Sequence, residues 1–448
     1  MKTTYDYYSN DGELFVPSWE KKKYKCKPVK RPQRKLKEIC SFFGGYEFGT
    51  TDLVMPNIKP NKSNNNDIDY SKRYLTLEAV DDCNFVFFGQ DAFVDFAYIM
   101  AGGQITKEQA RQMIQGGGEG IKYSLDGGKT WNEPEEQVIH IRDFGSVSVD
   151  LSASTIPQVL AGQNVMLKGV NDGMSCDEFG FVASCGVIKS DGKYKASGNI
   201  MSIAYGDDFI GQTSMSGKGF QYLFSYGFVT GDDDFSLIDA GNLILPATTL
   251  SKGCYDSMFN RCASLTTAPE LPATILADYC YASMFSRCTS LTAAPELPAT
   301  TLAEDCYQTM FGNCTSLTEA PELPATTLAE GCYYYMFYGC TSLVTAPELP
   351  ARTLVDSCYY YMFYGCTSLV TAPELPARTL VDSCYYYMFF GCSSLNYIKC
   401  LATDISANSC TCDWVHGVSD SGTFVKAIED WPTGGDGIPE GWTVEDDR

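Results

Sequence analysis

The clearest pattern along the chain is a set of apolar and cysteine columns that recur every 26 residues, as from Cys254 to Cys280. The unit reads C-Y-x-x-M-F-x-x-C-x-S-L-x-x-A-P-E-L-P-A-T-x-L-x-x-x. The two cysteine columns contain Cys254, Cys280, Cys306, Cys332, Cys358 and Cys384, and then Cys262, Cys288, Cys314, Cys340, Cys366 and Cys392. Because one such unit cannot bury its own apolar face, we expect successive coils to stack and to align these columns in one continuous core.

Each unit also predicts its own local structure. The stretch from Ser-Leu through Glu-Leu predicts a short strand, and neighbouring strands would pair in a parallel sheet about 4.8 Å apart. The C-Y-x-x-M-F stretch predicts a turn or a short helix on the opposite side of the coil. Pro-Glu-Leu-Pro predicts the corner at which the chain leaves the sheet, because proline cannot donate to a strand ladder.

Both ends of the array depart from the repeat unit, as an array of stacked coils requires to shield its open ends. Residues 220–224 predict a divergent first coil. At the other end Trp414 stands in the methionine column, and Trp431 and Trp442 follow in polar, glycine-rich sequence. We interpret these tryptophans first as the core of a cap and second as a ligand platform.

The region upstream of the repeats, over residues 74–205, is predicted to be β-rich. Apolar and polar residues alternate over 74–80, and 146–151 and 165–170 are further strand candidates. A helix is predicted over 106–115, opened by a capping box. The glycines that follow it are not succeeded by Lys-Ser/Thr, so a phosphate-binding loop is a poor interpretation.

Residues 124–131 carry the S-x-D-x-G-x-T-W pattern of the Asp box. The pattern resembles hairpins in sialidases and other β proteins. Asp and Gly favour the turn, Ser and Thr can bond its backbone, and Trp can pack beneath it. A single copy without an evident Arg/Tyr/Glu set predicts a structural hairpin.

The first 73 residues differ from the rest by a basic run, followed at 60–66 by a linker-like stretch. The basic residues are Lys21, Lys22, Lys23, Lys25, Lys27, Lys30, Arg31, Arg34, Lys35 and Lys37. One interpretation is a solvated, partly disordered arm. A sharper one is an anchor for an acidic partner surface, carried by Lys21, Lys22, Lys23, Lys25, Lys30, Arg31, Arg34 and Lys35. Nucleic-acid contact ranks third.

Composition narrows the classes of function. The 448 residues carry a formal net charge of -22, which argues against nucleic-acid binding and against affinity for anionic membranes. No stretch approaches twenty apolar residues, so no membrane span is expected. The chain starts without the basic and apolar regions of a secretory signal, which predicts synthesis in a reducing compartment.

The cysteines and histidines predict no metal or cofactor site. Twelve of the 20 cysteines occupy repeat columns, where a buried free thiol behaves as a small hydrophobe, and a reducing compartment also disfavours disulfides. The chain has only His140 and His416 and no CxxC pair, so metal ligation is not expected.

The columns resemble the BspA-like leucine-rich repeats, whose unit carries an A-F-x-x-C-x-S-L core, over about residues 217–415. The 26-residue unit is longer than the commonest form of that family, and the tail at 437–444 resembles the cap of such proteins in gut anaerobes and their phages. The resemblance implies extracellular recognition and adhesion without catalytic residues. We therefore expect a mixed, β-rich fold with a basic arm and linker (1–73), a sandwich-like β-rich domain (74–216), a leucine-rich-repeat solenoid (217–400) and a C-terminal cap (401–448).

Positions that drift while the core columns stay constant are the candidates for binding. They include the pair after Cys-Tyr, the residue after Met-Phe and the strand pair, exemplified by Val370 and Thr371, and we expect them to face outward. In the last three regular units the candidate binding residues are Tyr334, Tyr335, Tyr338, Tyr360, Tyr361, Tyr364, Tyr386 and Tyr387. Tyrosine suits sugar or protein surfaces. The alternative is that these rings only pack between coils and cover the margin of the core.

The sequence supports a binding protein rather than an enzyme, since it shows no Ser/His/Asp set, metal cluster or nucleotide motif. Three settings compete: a phage virion appendage, such as a fibre or head-surface protein; a bacterial surface adhesin; and an intracellular scaffold. The first predicts a location on the virion surface, the second one on the bacterial surface. The expected partners are a glycan or protein of a host surface or mucus, virion proteins held through the arm, and further copies of the chain.

Overall fold

The computed structural model describes residues 69–447 apart from 103, 117–118, 145–146, 172–173, 177–180, 216–218, 226–232, 235 and 428–429. The described part is β-rich, with several sheets and few helices, as expected. The helices are α1 (Gln90–Met100), α2 (Lys107–Met113) and α3 (Ser202–Tyr205), with 3-10 turns at Tyr70–Lys72 and Gly206–Asp208. None of the helices in the described part has the length and apolar character needed to cross a membrane.

Sixteen strands are described, and most of them precede the regular repeats. They are β1 (Leu75–Ala79), β2 (Phe85–Phe88), β3 (Gln115–Gly116), β4 (Glu119–Ser124), β5 (Glu135–Phe144), β6 (Val147–Thr155), β7 (Asn164–Val170), β8 (Met174–Cys176), β9 (Phe181–Ser184), β10 (Val187–Ser190), β11 (Tyr194–Asn199), β12 (Leu237–Ile244), β13 (Thr371–Leu375), β14 (Tyr397–Cys400), β15 (Thr423–Lys426) and β16 (Thr443–Asp446).

Three sheets form the upstream region. Their strand orders are β12-β11-β1-β7-β4, β10-β2-β6-β5 and β3-β8-β9, and every pairing is antiparallel except that of β11 with β12. The predicted strands at 74–80, 146–151 and 165–170 correspond to β1, β6 and β7. The predicted helix is α2, and Thr106 and Gln109 form its capping box. Helix α1 was not predicted.

The repeats begin directly on the first of these sheets. Strand β12 lies parallel to β11, and the next coil continues from it, because Thr266 N donates to Ile238 O over 3.0 Å. One hydrophobic core runs from Leu75 on β1 through every regular repeat to Trp442 near the C-terminus. A second core lies where α1 packs against β6.

Strand pairing within the repeats is sparser than expected. In the earlier coils it consists of isolated parallel bridges, such as those joining Glu319 to Thr345 and Thr345 to Thr371. Continuous strands appear at the end of the array, where β13, β14, β15 and β16 form a parallel sheet. Strand β14 has Lys399 where the preceding coils have a proline, such as Pro347, and a proline removes a donor that a longer ladder would need.

The opposite side of each coil is a ribbon of turns rather than a helix. Some of its N–H groups donate within the coil, as Met336 N does to Tyr333 O over 3.2 Å. Others donate to the next coil, as Phe337 N does to Met362 O over 2.9 Å. Each backbone donor of this stretch therefore either closes a turn or joins two coils.

The core columns lie where the repeat pattern predicts them. All twelve column cysteines are buried free thiols, and the Phe column from Phe259 to Phe389 is buried and stacked ring on ring. The divergent first coil is confirmed, since Phe224 is buried and stacks on Phe259 at 5.3 Å. Trp414 and Trp442 are also buried in this core, and their indole N–H groups donate to Gly437 O and Ser419 O.

Candidate functional site

Nine aromatic side chains of three successive coils form a compact array, which we call the aromatic grid. Its first column is Tyr334, Tyr360 and Tyr386; its second is Tyr335, Tyr361 and Tyr387; its third is Tyr338, Tyr364 and Phe390. All eight tyrosines predicted as binding residues belong to it. The corresponding positions of the preceding coil are Gln308, Thr309 and Gly312, so the grid begins abruptly at the coil that contains Tyr334.

The turn ribbon sets the position of each ring. Every fourth residue of the ribbon has a positive φ, as at Gly331 (62°), Tyr335 (57°) and Gly339 (69°). This left-handed conformation normally favours glycine, so a tyrosine there is held by its surroundings. Tyr335 N donates to Tyr360 O over 2.9 Å, which fixes the backbone of one coil on the next.

Within each column the rings lie face to face. In the first column the ring centres of Tyr334 and Tyr360 are 4.8 Å apart, those of Tyr360 and Tyr386 are 4.7 Å apart, and both pairs lie within 5° of parallel. In the second column Tyr361 lies 4.5 Å from Tyr335 and 4.8 Å from Tyr387. Each central ring is therefore covered on both faces by its neighbours.

The third column is similar and ends on a histidine. Tyr364 lies 5.2 Å from Tyr338 and 4.9 Å from Phe390, and Phe390 lies 4.8 Å from His416. Contacts between columns are as close, since the rings of Tyr334 and Tyr335 are 4.6 Å apart. The nine rings thus form one continuous packed layer.

The grid lies at the margin of the fold and does not project into solvent. Six of the eight tyrosines are half-buried, while Tyr364 and Tyr387 are buried. The expectation that these variable positions all face outward is therefore wrong, and the reason is that rings of neighbouring coils cover one another. The strand positions do face outward, and Val344 and Val370 are 49% and 39% exposed.

Two phenols of the second column, Tyr335 and Tyr361, are harder to ionise than free tyrosine. Burial raises the pKa of Tyr335 and of Tyr361, and neighbouring phenols add to the effect. The hydroxyl of Tyr387 donates to Asp413 Oδ2 over 3.2 Å. At neutral pH these groups can therefore donate and accept hydrogen bonds without carrying charge.

One group of potential metal ligands lies beside the grid and was not found in the sequence. The sulfur of Cys412 and carboxylate oxygens of Asp413 and Asp436 lie within 4.8 Å of one another. Cys412 is disulfide-bonded, so it provides no free thiolate for a metal, and the expectation that disulfides are disfavoured is wrong for this cysteine. Local hydrogen bonds engage both carboxylates, since Asp436 Oδ1 accepts from Asp413 N over 2.6 Å and Asp413 accepts from Tyr387. Burial raises the pKa of Asp413. Asp436 is far from the other two residues in sequence, and no spacing motif marks it.

The other predicted features lie elsewhere. Asp126 accepts from the N–H groups of Lys129 and Thr130 over 3.0 and 2.9 Å, so the Asp-box turn forms as its pattern predicts. Hydrogen bonds from Thr130 lower the pKa of Asp126 to about 2. The basic residues predicted as an anchor, from Lys21 to Lys35, lie outside the described residues.

Comparison with known proteins identifies the repeats. A family model, the BspA type leucine rich repeat region, matches residues 306–412 in six copies. No curated protein and no solved structure matches the chain. Residues 306–412, which contain the whole aromatic grid, are thus BspA-type leucine-rich repeats, and the resemblance seen in the sequence is confirmed over these residues. Repeats of this type indicate a binding or adhesin-type role.

Proposed function

We propose that the protein is a non-catalytic attachment protein whose repeats form a leucine-rich-repeat solenoid and bind a glycan or a protein of a cell surface. The observation that carries this proposal is the aromatic grid. It gathers eight tyrosines and a phenylalanine at a half-buried margin of three coils, while the core columns of the same coils stay constant along the array. Earlier coils pack with Asp, Asn, Ala, Ser, Gln, Thr or Gly at these three positions, so packing alone does not require tyrosine.

Tyrosine at such a margin suits recognition. It combines a large ring with a hydroxyl, and it loses little conformational entropy on binding. Here the neighbouring rings and the hydrogen bonds between coils hold the side chains in place before any ligand arrives. A preorganised surface of this kind reduces the cost of ordering side chains on binding.

The test compares two surfaces of the same coils. Full-length protein with Tyr334→Ser, Tyr360→Ser and Tyr386→Ser is compared with a second variant, Val344→Ser with Val370→Ser, which changes the exposed strand face. Binding to intact cells and to arrays of surface glycans and proteins should fall tenfold or more in the tyrosine variant, which corresponds to about 1.4 kcal/mol.

The strand variant serves as the control and should bind as the parent does. Because stacked rings also contribute to stability, binding is measured well below the melting temperature of each variant. A loss in the strand variant with full binding in the tyrosine variant would move the site to the strand face. Full binding in both would remove the repeats as the attachment surface.

As the setting, we propose first a virion appendage, a phage fibre or head-surface protein, and second a bacterial surface adhesin. The order of basic arm, sandwich-like β-rich domain and repeat array supports an appendage with one end for assembly and one for recognition. The repeat type supports either setting. Immunogold labelling of purified phage particles and of intact bacteria distinguishes them, and label on cells without label on particles would favour the adhesin.

We further propose that the basic arm is the assembly element. Deleting residues 1–60 should leave a folded, monodisperse protein and should abolish its incorporation into the parent particle or complex. Circular dichroism and light scattering monitor the fold and the size. Loss of the β signal on deletion would make the arm part of the folded core instead.

A further inference from the structure

We propose that the basic segment of the arm, residues 21–37, docks on the strand face of the repeats of its own chain. The strand face is the outer side of the segments that pair coil to coil, from 266–272 in the first regular coil to 370–376 in the fifth. The aromatic grid lies on the turn ribbon, on the other side of the coils. This inference therefore goes beyond the proposed attachment site.

The strand face carries one exposed glutamate in each of five successive coils. This glutamate column consists of Glu270, Glu296, Glu322, Glu348 and Glu374. The parallel bridges that join Glu319 to Thr345 and Thr345 to Thr371 keep the coils in register, so neighbouring glutamates leave the backbone about 4.8 Å apart. Like charges directly opposite each other on a sheet repel, so the column favours a cationic partner.

The described residues supply a cation only at the end of this column. Strand pairing brings Lys399 beside Glu374, and the lysine Nζ lies 3.1 Å from Oε2 of the glutamate. The other four glutamates form no ion pair within the described part of the chain, and the strand segments of all five coils contain neither Lys nor Arg. A lysine thus fits beside the column, and four of its five carboxylates still lack one.

A second acidic column of the same repeats is less suited to a long basic partner. It consists of Asp278, Glu304, Glu330, Asp356 and Asp382. Two of its coils have an arginine, Arg352 or Arg378, four residues before the carboxylate. Asp382 also accepts a hydrogen bond from Asn408 N over 3.0 Å. The strand face is therefore the better match for a run of cations.

The arm provides the cations and the length. Residues 21–37 contain ten Lys and Arg and no Asp or Glu, in a chain whose net charge is -22. A fully extended chain of 17 residues spans about 55 Å, whereas the five glutamates span about 19 Å. The segment can therefore bring a cation to each carboxylate of the column.

The arm also starts close to the strand face. The 3-10 turn at Tyr70–Lys72 leads into β1, and β1, β11, β12 and the segment 266–272 are successive neighbours, so about 14 Å separates β1 from the first repeat strand. Residues 38–68 can span about 100 Å when extended. Tethering gives the segment an effective concentration of about 1 mM at this face, which favours its own chain over a second copy.

Docking has a consequence for assembly. The basic segment of the free protein would be held on its own glutamates and would become available when the acidic surface of a partner displaces it. The turn ribbon and the aromatic grid stay uncovered in both states.

The experiment measures how fast trypsin cuts the basic segment in full-length protein. Cutting after Lys and Arg of residues 21–37 is followed by mass spectrometry at about 0.02 M and about 0.5 M NaCl, because salt screens surface charges. A synthetic peptide of residues 15–45 corrects for the effect of salt on the protease. At low salt the segment should be cut about tenfold more slowly than the peptide, and at high salt at nearly the same rate.

The test variant removes three charges of the glutamate column by Glu296→Gln, Glu322→Gln and Glu348→Gln. At low salt its basic segment should be cut as fast as the peptide. Circular dichroism checks that the variant is folded, which we expect because these side chains are exposed.

The matched control removes three charges of the second acidic column by Asp278→Asn, Glu330→Gln and Asp356→Asn. Its basic segment should stay as protected as that of the parent. Equal loss of protection in both variants would mean that overall charge, and not the strand face, holds the arm. Full protection in the test variant, or protection of the parent that persists at high salt, would overturn docking on the glutamates. Protection that grows with protein concentration, with dimers in light scattering, would assign the segment to a second copy instead.

Discussion

Replacing Phe337 by alanine should lower the unfolding free energy by about 3–5 kcal/mol. The side chain is fully buried, and its ring lies between Phe311 at 5.7 Å and Phe363 at 5.6 Å. Truncation removes its apolar area from the core and leaves a cavity between two coils that hydrogen bonds hold at a fixed distance. Each lost ring contact contributes about 0.5–1.5 kcal/mol of this total.

Tyr334→Ala is the matched comparison in the same coil. That ring is half-buried and has one stacking partner in its column, Tyr360. We expect a loss of about 1–2 kcal/mol, since about half as much apolar area returns to water. Urea titrations followed by circular dichroism give both values, provided that the slope with denaturant is unchanged. Equal losses would refute the assignment of Phe337 to the core and Tyr334 to its margin.

Three further outcomes can be measured on the same protein. Burial raises the pKa values of the column thiols. The twelve column cysteines should therefore resist a thiol reagent in the native state and react with it after denaturation. Fast reaction in the native state would contradict their burial. Burial also raises the pKa of Asp256 from 3.8 to about 6, so the folded state holds this proton more tightly than the unfolded chain. Its contribution to stability should decline as pH rises from about 4 through 6, and Asp256→Asn should flatten that slope and be more stable at pH 7; an unchanged slope would contradict the assignment. Gly365→Ala should destabilise the fold by about 1–2 kcal/mol in a thermal melt. The cause is the backbone conformation, since φ of Gly365 is 71°; the new Cβ would not clash, because its nearest atom would lie 3.9 Å away. No loss would mean that the turn can adjust.

The repeat columns could be read from the sequence because they depend on one principle. A residue type that recurs at a fixed interval among apolar neighbours must share one environment, and the cysteine, methionine, phenylalanine and leucine columns are all buried in one core. The Asp-box turn and the capping box at Thr106 were equally predictable. Each is a local set of hydrogen bonds among residues that are close in sequence.

The features that were missed depend on contacts between distant residues. Helix α1 has apolar residues on most of its surface, and its buried Asp95 is held by Lys107 and Ser152, which sequence spacing does not connect. The sequence does contain one signal from which the turn ribbon could have been predicted. Glycines at 339 and 365 share a column with positive φ, although Arg287 occupies the same column in an earlier coil.

The sequence predicted which residues form the candidate site but not how their rings are arranged. Variation between units identified the eight tyrosines, but variation was equated with exposure. That step failed because a ring repeated in register can be covered by its own copies. Nothing in the sequence distinguishes a tyrosine that shows its face from one that shows its edge.

The hydrogen bonds and ring contacts that join one coil to the next have a consequence for how this surface can change over generations. The coils ending at Cys366 and Cys392 are nearly identical, so a copied coil would find on either side the partners it already has. Inserting one unit would lengthen the aromatic grid by one row without a new core or a new cap. Gene duplication and loss could therefore change the size of the aromatic grid in whole steps, each about the width of one strand.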